Sequence, residues 1–288
     1  MRERNVRQIM SLSINSTPNS LFAQNSLAQA QKSQAKTLQS LSSGQRVNSA
    51  ADDPATAAII QQFAAQIAGS DQAARNLNDG VSLTQVADGA LGQLSSNSQR
   101  LRELAMAAGN GTLSAEDRSA LQAEANQLTQ SNNDIVQQTS FNGIALLQGG
   151  SSLSFQSGAN AGSDNQTALS SANLSAAPGS GGLFSLNGGV DLSSPAAATQ
   201  TLDNLDADLN TLSRQQARFG AASNAFEAAI GNLQNRSLNL AAARSRSADT
   251  DYAAATAQLA QEQIRTQANL AVQAQANASA AQVLGLLR

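Results

Sequence analysis

The sequence has no cysteine, no histidine and no tryptophan, and its single tyrosine is Tyr252. Without Cys there are no disulfides and no thiolate nucleophiles; without His, imidazole acid/base chemistry and the usual zinc sites go too. Most familiar catalytic constellations therefore cannot be assembled from this chain. Aromatics are 3% of the residues. A chain so poor in rings buries its apolar surface through small residues along helix seams, which suits long thin bundles better than a compact core.

Cationic charge is scarce as well. Lysine occurs only at Lys32 and Lys36 and the formal net charge is −3, so no basic run exists to neutralise a phosphate backbone or an anionic bilayer. Neither nucleic acid nor membrane insertion is expected. No apolar stretch approaches the about 20 residues that cross a bilayer, and no segment reads as a cleavable signal. A chain of this kind that leaves the cell uses another route. Gly179-Ser180-Gly181-Gly182 has neither the preceding strand nor the Lys-Ser/Thr partner of a phosphate loop. The carboxylate pairs Asp52/Asp53 and Asp249/Asp251 stand at turns and helix starts, where capping explains them. No catalytic residue, cofactor site or metal site is expected.

What is present is periodicity. Residues 1–9 are Arg-rich, unlike the Ser-, Asn- and Ala-rich stretch after them, and read as an upstream extension. From Ile14, apolar or small residues recur at Leu21, Ala28 and Ala35, with Leu38 and Leu41 beyond them, a thin amphipathic seam. Gly44 and its neighbours break that helix, and Asp53-Pro54 is a good cap and first residue for the next. That second helix should run to about residue 108, its seam clearest at Leu83, Ala87, Ala90, Leu94, Asn97, Leu101 and Leu104. Ser114 with Asp117 can cap a third helix over about 114–138. Residues 141–195 turn to Gly, Ser, Asn and Ala with short apolar alternations, the signals of hairpins and loops. A surface segment is expected there, unable to build a core and unnecessary for assembly.

The most regular pattern comes next, at Leu202, Leu205, Leu209, Leu212, Gln216, Phe219, Ser223, Phe226, Ile230, Leu233, Ser237 and Leu240. A helix with one narrow stripe needs partners, and the N-terminal seams are the natural ones. A last Ala- and Gln-rich helix should run through Val283, Leu284 and Leu287. The fold class is therefore mainly α: a long antiparallel coiled-coil bundle made by the two ends of the chain, with a small β-hairpin and loop region between them.

At this point the residues resemble a known family, the bacterial flagellins. The blocks are LSSGQRVNSAADDPA (41–55), ARNLNDGVSLTQVADGAL (74–91), QRLRELA (99–105), TSFNGIALL (139–147), RFGAASNAFEAAIGNLQN (218–235), LAAARSRSADTDYA (240–253) and VLGLLR (283–288). The resemblance implies an inner polymerisation layer from residues 10–42 and 253–288, and an outer helical layer from 43–140 and 196–252. It implies a structural filament subunit for motility rather than an enzyme. It further implies an extracellular chain, exported by the flagellar type III route without a cleaved signal. Its partners would be copies of itself, an export chaperone, cap and junction proteins, and a host flagellin-sensing receptor. For that recognition the matching positions are Arg100, Leu104 and Glu124, although Ala107 stands where the family commonly has Gln. The residues expected to carry polymerisation or packing are Ile14, Leu21, Leu38, Leu83, Leu94, Leu101, Leu205, Leu209, Phe219, Phe226, Ile230, Leu233, Val283, Leu284 and Leu287. Two other readings stay open: a hook-filament junction protein, which shares the N-terminal block, and a cell-surface homologue that binds an extracellular polymer such as a polysaccharide.

Overall fold

The computed structural model describes the backbone of residues 18–150 and 152–286, and the side chains of 20–150 and 152–278. Ile14, Leu287 and the extension 1–9 lie outside the described residues; Val283 and Leu284 are described only as helix backbone. Five helices carry the chain: α1 (Pro18–Ser43), α2 (Pro54–Ala108), α3 (Ala115–Gln138), α4 (Pro195–Ala248) and α5 (Tyr252–Leu286). Between α3 and α4 lie four short strands, β1 (Ser140–Phe141), β2 (Ile144–Ala145), β3 (Ser152–Gln156) and β4 (Gln166–Ser170).

The helix starts arise from local chemistry. Asp53 Oδ1 accepts from Thr56 N at 3.0 Å, and Pro54, which has no N–H to satisfy, opens α2. Ser114 and Asp117 form a reciprocal capping box at the head of α3. Asp251 accepts from the N–H groups of Ala253 and Ala254 at 2.9 and 3.1 Å at the head of α5. The Asn78-Asp79-Gly80 triplet does not interrupt α2, because a helix packed on both flanks tolerates one glycine.

The described residues divide into two compact units, one comprising those up to 63 together with those from 242, the other those within 64–241. The division falls inside α2 and α4 rather than at the expected layer boundaries of 42/43 and 252/253. In the first unit α1 and α5 run antiparallel, and the loop after α1 is stitched to the chain between α4 and α5. Arg46 N donates to Ala248 O at 2.6 Å, Thr250 N to Gly44 O at 2.9 Å, and Arg46 Nη2 to Ser247 O at 2.8 Å. These bonds join the loop after α1 to the end of α4 and the turn that leads into α5.

In the second unit α2 and α4 lie antiparallel. Asp71 meets Ser237, Gly80 meets Phe226 and Arg102 meets Asp206, so the register does not slip along the contact. The α3 helix returns along α2, with Asn97 bonded to Asn132 and Arg100 to Glu124. β1 and β2 close a hairpin over Asn142 and Gly143, both at positive φ (51° and 79°), the signature of a type I′ turn. β3 pairs antiparallel with β4 from Ser152↔Ser170 to Gln156↔Gln166.

The middle segment departs from the expectation of a surface piece. Leu146, Leu147, Leu169, Ala172, Leu174 and Leu183 are buried in one cluster with Leu83, Leu91, Leu94, Leu212 and Phe226. Phe155 of β3 packs edge-on against Phe226 with ring centroids 5.2 Å apart. Each apolar run is too short for a core of its own, yet together they cover the open side of the α2/α4 seam. A carboxylate holds the cover down: Asp208 Oδ1 accepts from Phe184 N at 2.6 Å and Oδ2 from Ser185 N at 2.9 Å.

Candidate assembly surfaces

The seam residues of the second unit are occupied within the subunit. Leu83, Leu94, Leu101, Leu205, Phe219, Phe226 and Leu233 are buried. On α4 the two apolar rows differ. Leu205, Leu212, Phe219, Phe226 and Leu233, seven residues apart, are buried, whereas Leu202, Leu209, Gln216, Ser223 and Ile230 are only half-buried. The helix thus turns one row into the core and leaves the other at its rim, with Asp208 buried where the repeat predicts Leu209.

The α1/α5 pair presents the opposite picture. Its seam is made of small side chains, Ala23, Ala30, Thr37 and Ala255, so close helix approach replaces large apolar side chains. The large ones point outwards. Phe22 is 76% exposed and Ile264 67%, and Leu21, Leu38, Leu270 and Val272 are also exposed. The repeat predicts Leu21 and Leu38 as seam positions; the structure puts them at the surface, because Ala at 23 and 30 permits the tighter contact. Phe22, Ile264 and Val272 escape a reading based on the repeat. They break it, which is the signal that they face something other than the paired helix.

A fixed corner joins α1 to the loop behind it. Asp52 accepts from Lys36 Nζ at 3.0 Å, from Ser49 N at 3.1 Å and from Asn48 N at 3.3 Å. The hydrogen bond from Lys36 chiefly holds its carboxyl below the usual range. On the second unit, Arg100 bonds Glu124 at 2.7 Å and Glu103 at 2.9 Å, which keeps it more firmly cationic. Leu104, grouped with Arg100 and Glu124 in the sequence, is 3% exposed and belongs to the core. Of that trio, only the two ion-paired side chains, Arg100 and Glu124, reach the surface.

Among the described residues no cluster of acidic side chains could hold a metal ion, and no helix is long and apolar enough to cross a membrane.

Comparison with known proteins points to one family at both ends of the chain. The model of the bacterial flagellin N-terminal helical region matches residues 14–152, and that of the bacterial flagellin C-terminal helical region matches 202–287. A flagellin of Halalkalibacterium halodurans is 39% identical over 88% of this chain and 91% of its own length. Flagellin FlaB1 of Treponema pallidum is 33% identical over 96% of this chain and 99% of its own, and a flagellin of Bacillus subtilis is 36% identical over 94% and 96%. The crystal structure of Bacillus cereus flagellin aligns with a TM-score of 0.48 at 28% identity, covering 59% of this chain and 94% of that one. Matched at both ends by the family's own helical regions and along nearly its whole length by its members, the chain belongs to the bacterial flagellin family.

Proposed function

We infer that this chain is a structural subunit of the flagellar filament, a homopolymer of itself, and that its α1/α5 pair carries the contacts between copies. The observation that supports the division of labour is the contrast between the two units. The second buries its seams internally, whereas the first exposes Phe22, Ile264, Leu270 and Val272 around a seam of alanines. Large apolar side chains left exposed along a thin helix pair favour burial against further helices. As a lone pair, α1 and α5 would recover little of the ordering cost of about 1–2 kcal/mol per residue. The pair is therefore completed on assembly and loosely ordered before it. A loosely ordered end also suits passage through the flagellar export route, with an export chaperone and the cap and junction proteins as transient partners. Recognition by a host flagellin-sensing receptor would engage Arg100 and Glu124, with Leu104 as support from beneath.

The test is assembly of the purified chain, seen by negative-stain microscopy, beside the double variant Phe22→Asp, Ile264→Asp. The intact chain is expected to form filaments. The variant is expected to remain soluble with the thermal transition of the second unit unchanged. Filaments of normal length from the variant would refute the assignment of these contacts.

A further inference from the structure

One carboxylate projects into the small-residue seam between α1 and α5. Glu262 is 4% exposed. Its Oε1 accepts from Ser33 Oγ across the seam at 2.6 Å and from Gln258 Nε2, one turn back, at 3.0 Å. Its Oε2 is equally buried and accepts no hydrogen bond among the described residues. Burial pushes the Glu262 carboxyl up, but the hydrogen bonds from Ser33 and Gln258, the neighbouring Thr37 hydroxyl and the nearby charge of Arg265 bring it below its usual range. The group is thus ionised at neutral pH, and an ionised oxygen without a donor is a cost that the helix pair does not offset by itself. Beside it opens a groove of about 500 Å³, lined by Ser33, Ala254, Ala257, Gln258 and Gln261, with Glu262 and Arg265 in its wall.

We propose that this groove is a socket for a Lys or Arg side chain of a second copy of this chain, which completes Glu262 Oε2 when subunits assemble. The inference rests on the filament reading and names one contact within it. Charge selects the occupant, since a buried ionised carboxylate is completed most strongly by a cationic donor. Among the described residues no cation of the same copy does so: Lys36 is bonded to Asp52, and Arg265 does not come within ion-pair distance of Glu262. Lys32, Arg244 and Arg246 are exposed and have no carboxylate partner among the described residues, so each copy offers unpaired cations to its neighbours. Space permits entry. Ala254 and Ala257 leave room, and the exposed Gln261 and Arg265 are long enough to swing aside. Where the copy that supplies the cation does not have its own socket filled in return, the contact is heterologous and repeats from copy to copy, as an open filament requires.

The experiment measures the critical concentration for polymerisation of the full chain by sedimentation, for the parent and for Glu262→Gln, Ser33→Ala and Arg265→Ala. Glu262→Gln keeps the acceptor for Ser33 and Gln258 but replaces Oε2 with a donor that repels an incoming cation. It is expected to raise the critical concentration at least tenfold, with Ser33→Ala and Arg265→Ala each within threefold of the parent. A Glu262→Gln value within threefold of the parent overturns the socket and leaves the filament reading standing. So does an Arg265→Ala or Ser33→Ala value as high as that of Glu262→Gln, since Glu262 then acts within its own copy. A parent chain that forms no polymer overturns the filament reading and the socket together.

Discussion

Gly80 on α2 lies directly under the ring of Phe226 on α4: a Cβ at position 80 would stand 3.0 Å from Phe226 Cε2 and 3.2 Å from Cδ2. The ring has little freedom to yield, being fully buried with Phe155 packed edge-on against it. Helix propensity alone would reward Gly80→Ala by about 1 kcal/mol, but overpacking a closed core costs about 1–3 kcal/mol. A net loss of up to about 2 kcal/mol is expected. Gly220→Ala on α4, where nothing lies within 4 Å of the new carbon, should gain about 0.5–1 kcal/mol. Denaturant unfolding followed by circular dichroism compares them, and equal stabilities would show that the ring moves out of the way.

Asp208 gives the second unit a pH dependence of unusual sign. Burial pushes its carboxyl above the ordinary range, against the hydrogen bonds from Ser185 and Phe184 that favour its charge. A raised folded value means that the folded chain holds the proton more tightly than the unfolded one. The contribution to stability is therefore full below the unfolded value and is lost as pH rises through that value to the folded one. Asp208→Asn removes this term. The difference in unfolding free energy, parent minus variant, should fall on going from about pH 3 to neutral and then level off. A difference that rises with pH would show that the backbone donors outweigh burial.

Much of this architecture was legible in the sequence, and the reason is local. Asp53-Pro54, Ser114 with Asp117, and Asn142-Gly143 each specify their own backbone geometry within four residues, so those helix starts and that turn could be read directly. The seam of α4 was legible as a pattern, but not the row that is turned fully inwards. Leu205 and Leu209 look alike in a three-four repeat, and only the position of the neighbouring elements buries one and leaves the other at the rim. The middle segment misled for the same reason. Its short apolar runs are separated by glycines, and their shared destination depends on pairings such as Gln148 with Asn173 and Leu183 N with Leu174 O, which no local periodicity records. Glu262 was equally silent, since a lone acid in an amide-rich helix reads as a solvated face.

Between α2 and α3 a polar contact takes a core position. Asn97 Nδ2 donates to Asn132 Oδ1 at 2.8 Å, and Gln93 Nε2 donates to Asn97 Oδ1 at 3.0 Å. A pair of this kind fixes register at some cost in stability. Asn132→Leu alone should destabilise the unit by about 1–3 kcal/mol, because it strands the Asn97 amide, while Asn97→Leu with Asn132→Leu should be near neutral or stabilising. A double-mutant cycle reads the coupling directly. Additive single losses would show that the two amides do not depend on each other.

The middle segment can be cut in two ways with opposite outcomes. Replacing residues 159–180 by a short flexible linker removes β4 and takes Leu169, Ala172 and Leu174 out of the core. A buried leucine is worth about 1.5–3 kcal/mol, and Leu153 and Phe155 would lose their cover as well. The combined loss is comparable to the about 5–15 kcal/mol that a whole domain possesses, so this variant should lose its cooperative unfolding transition and form no filaments. Replacing only Asn160–Ser163 by two glycines removes exposed residues of the β3–β4 connection and leaves both strands paired. Loop closure changes by no more than about 0.6 kcal/mol for a halving of length, so that variant should unfold like the parent and assemble normally. Thermal unfolding and negative-stain microscopy of both variants decide the matter. Normal filaments from the 159–180 replacement would mean that α2, α3 and α4 hold together without their cover, and that the buried leucines of the middle segment are not part of what stabilises them.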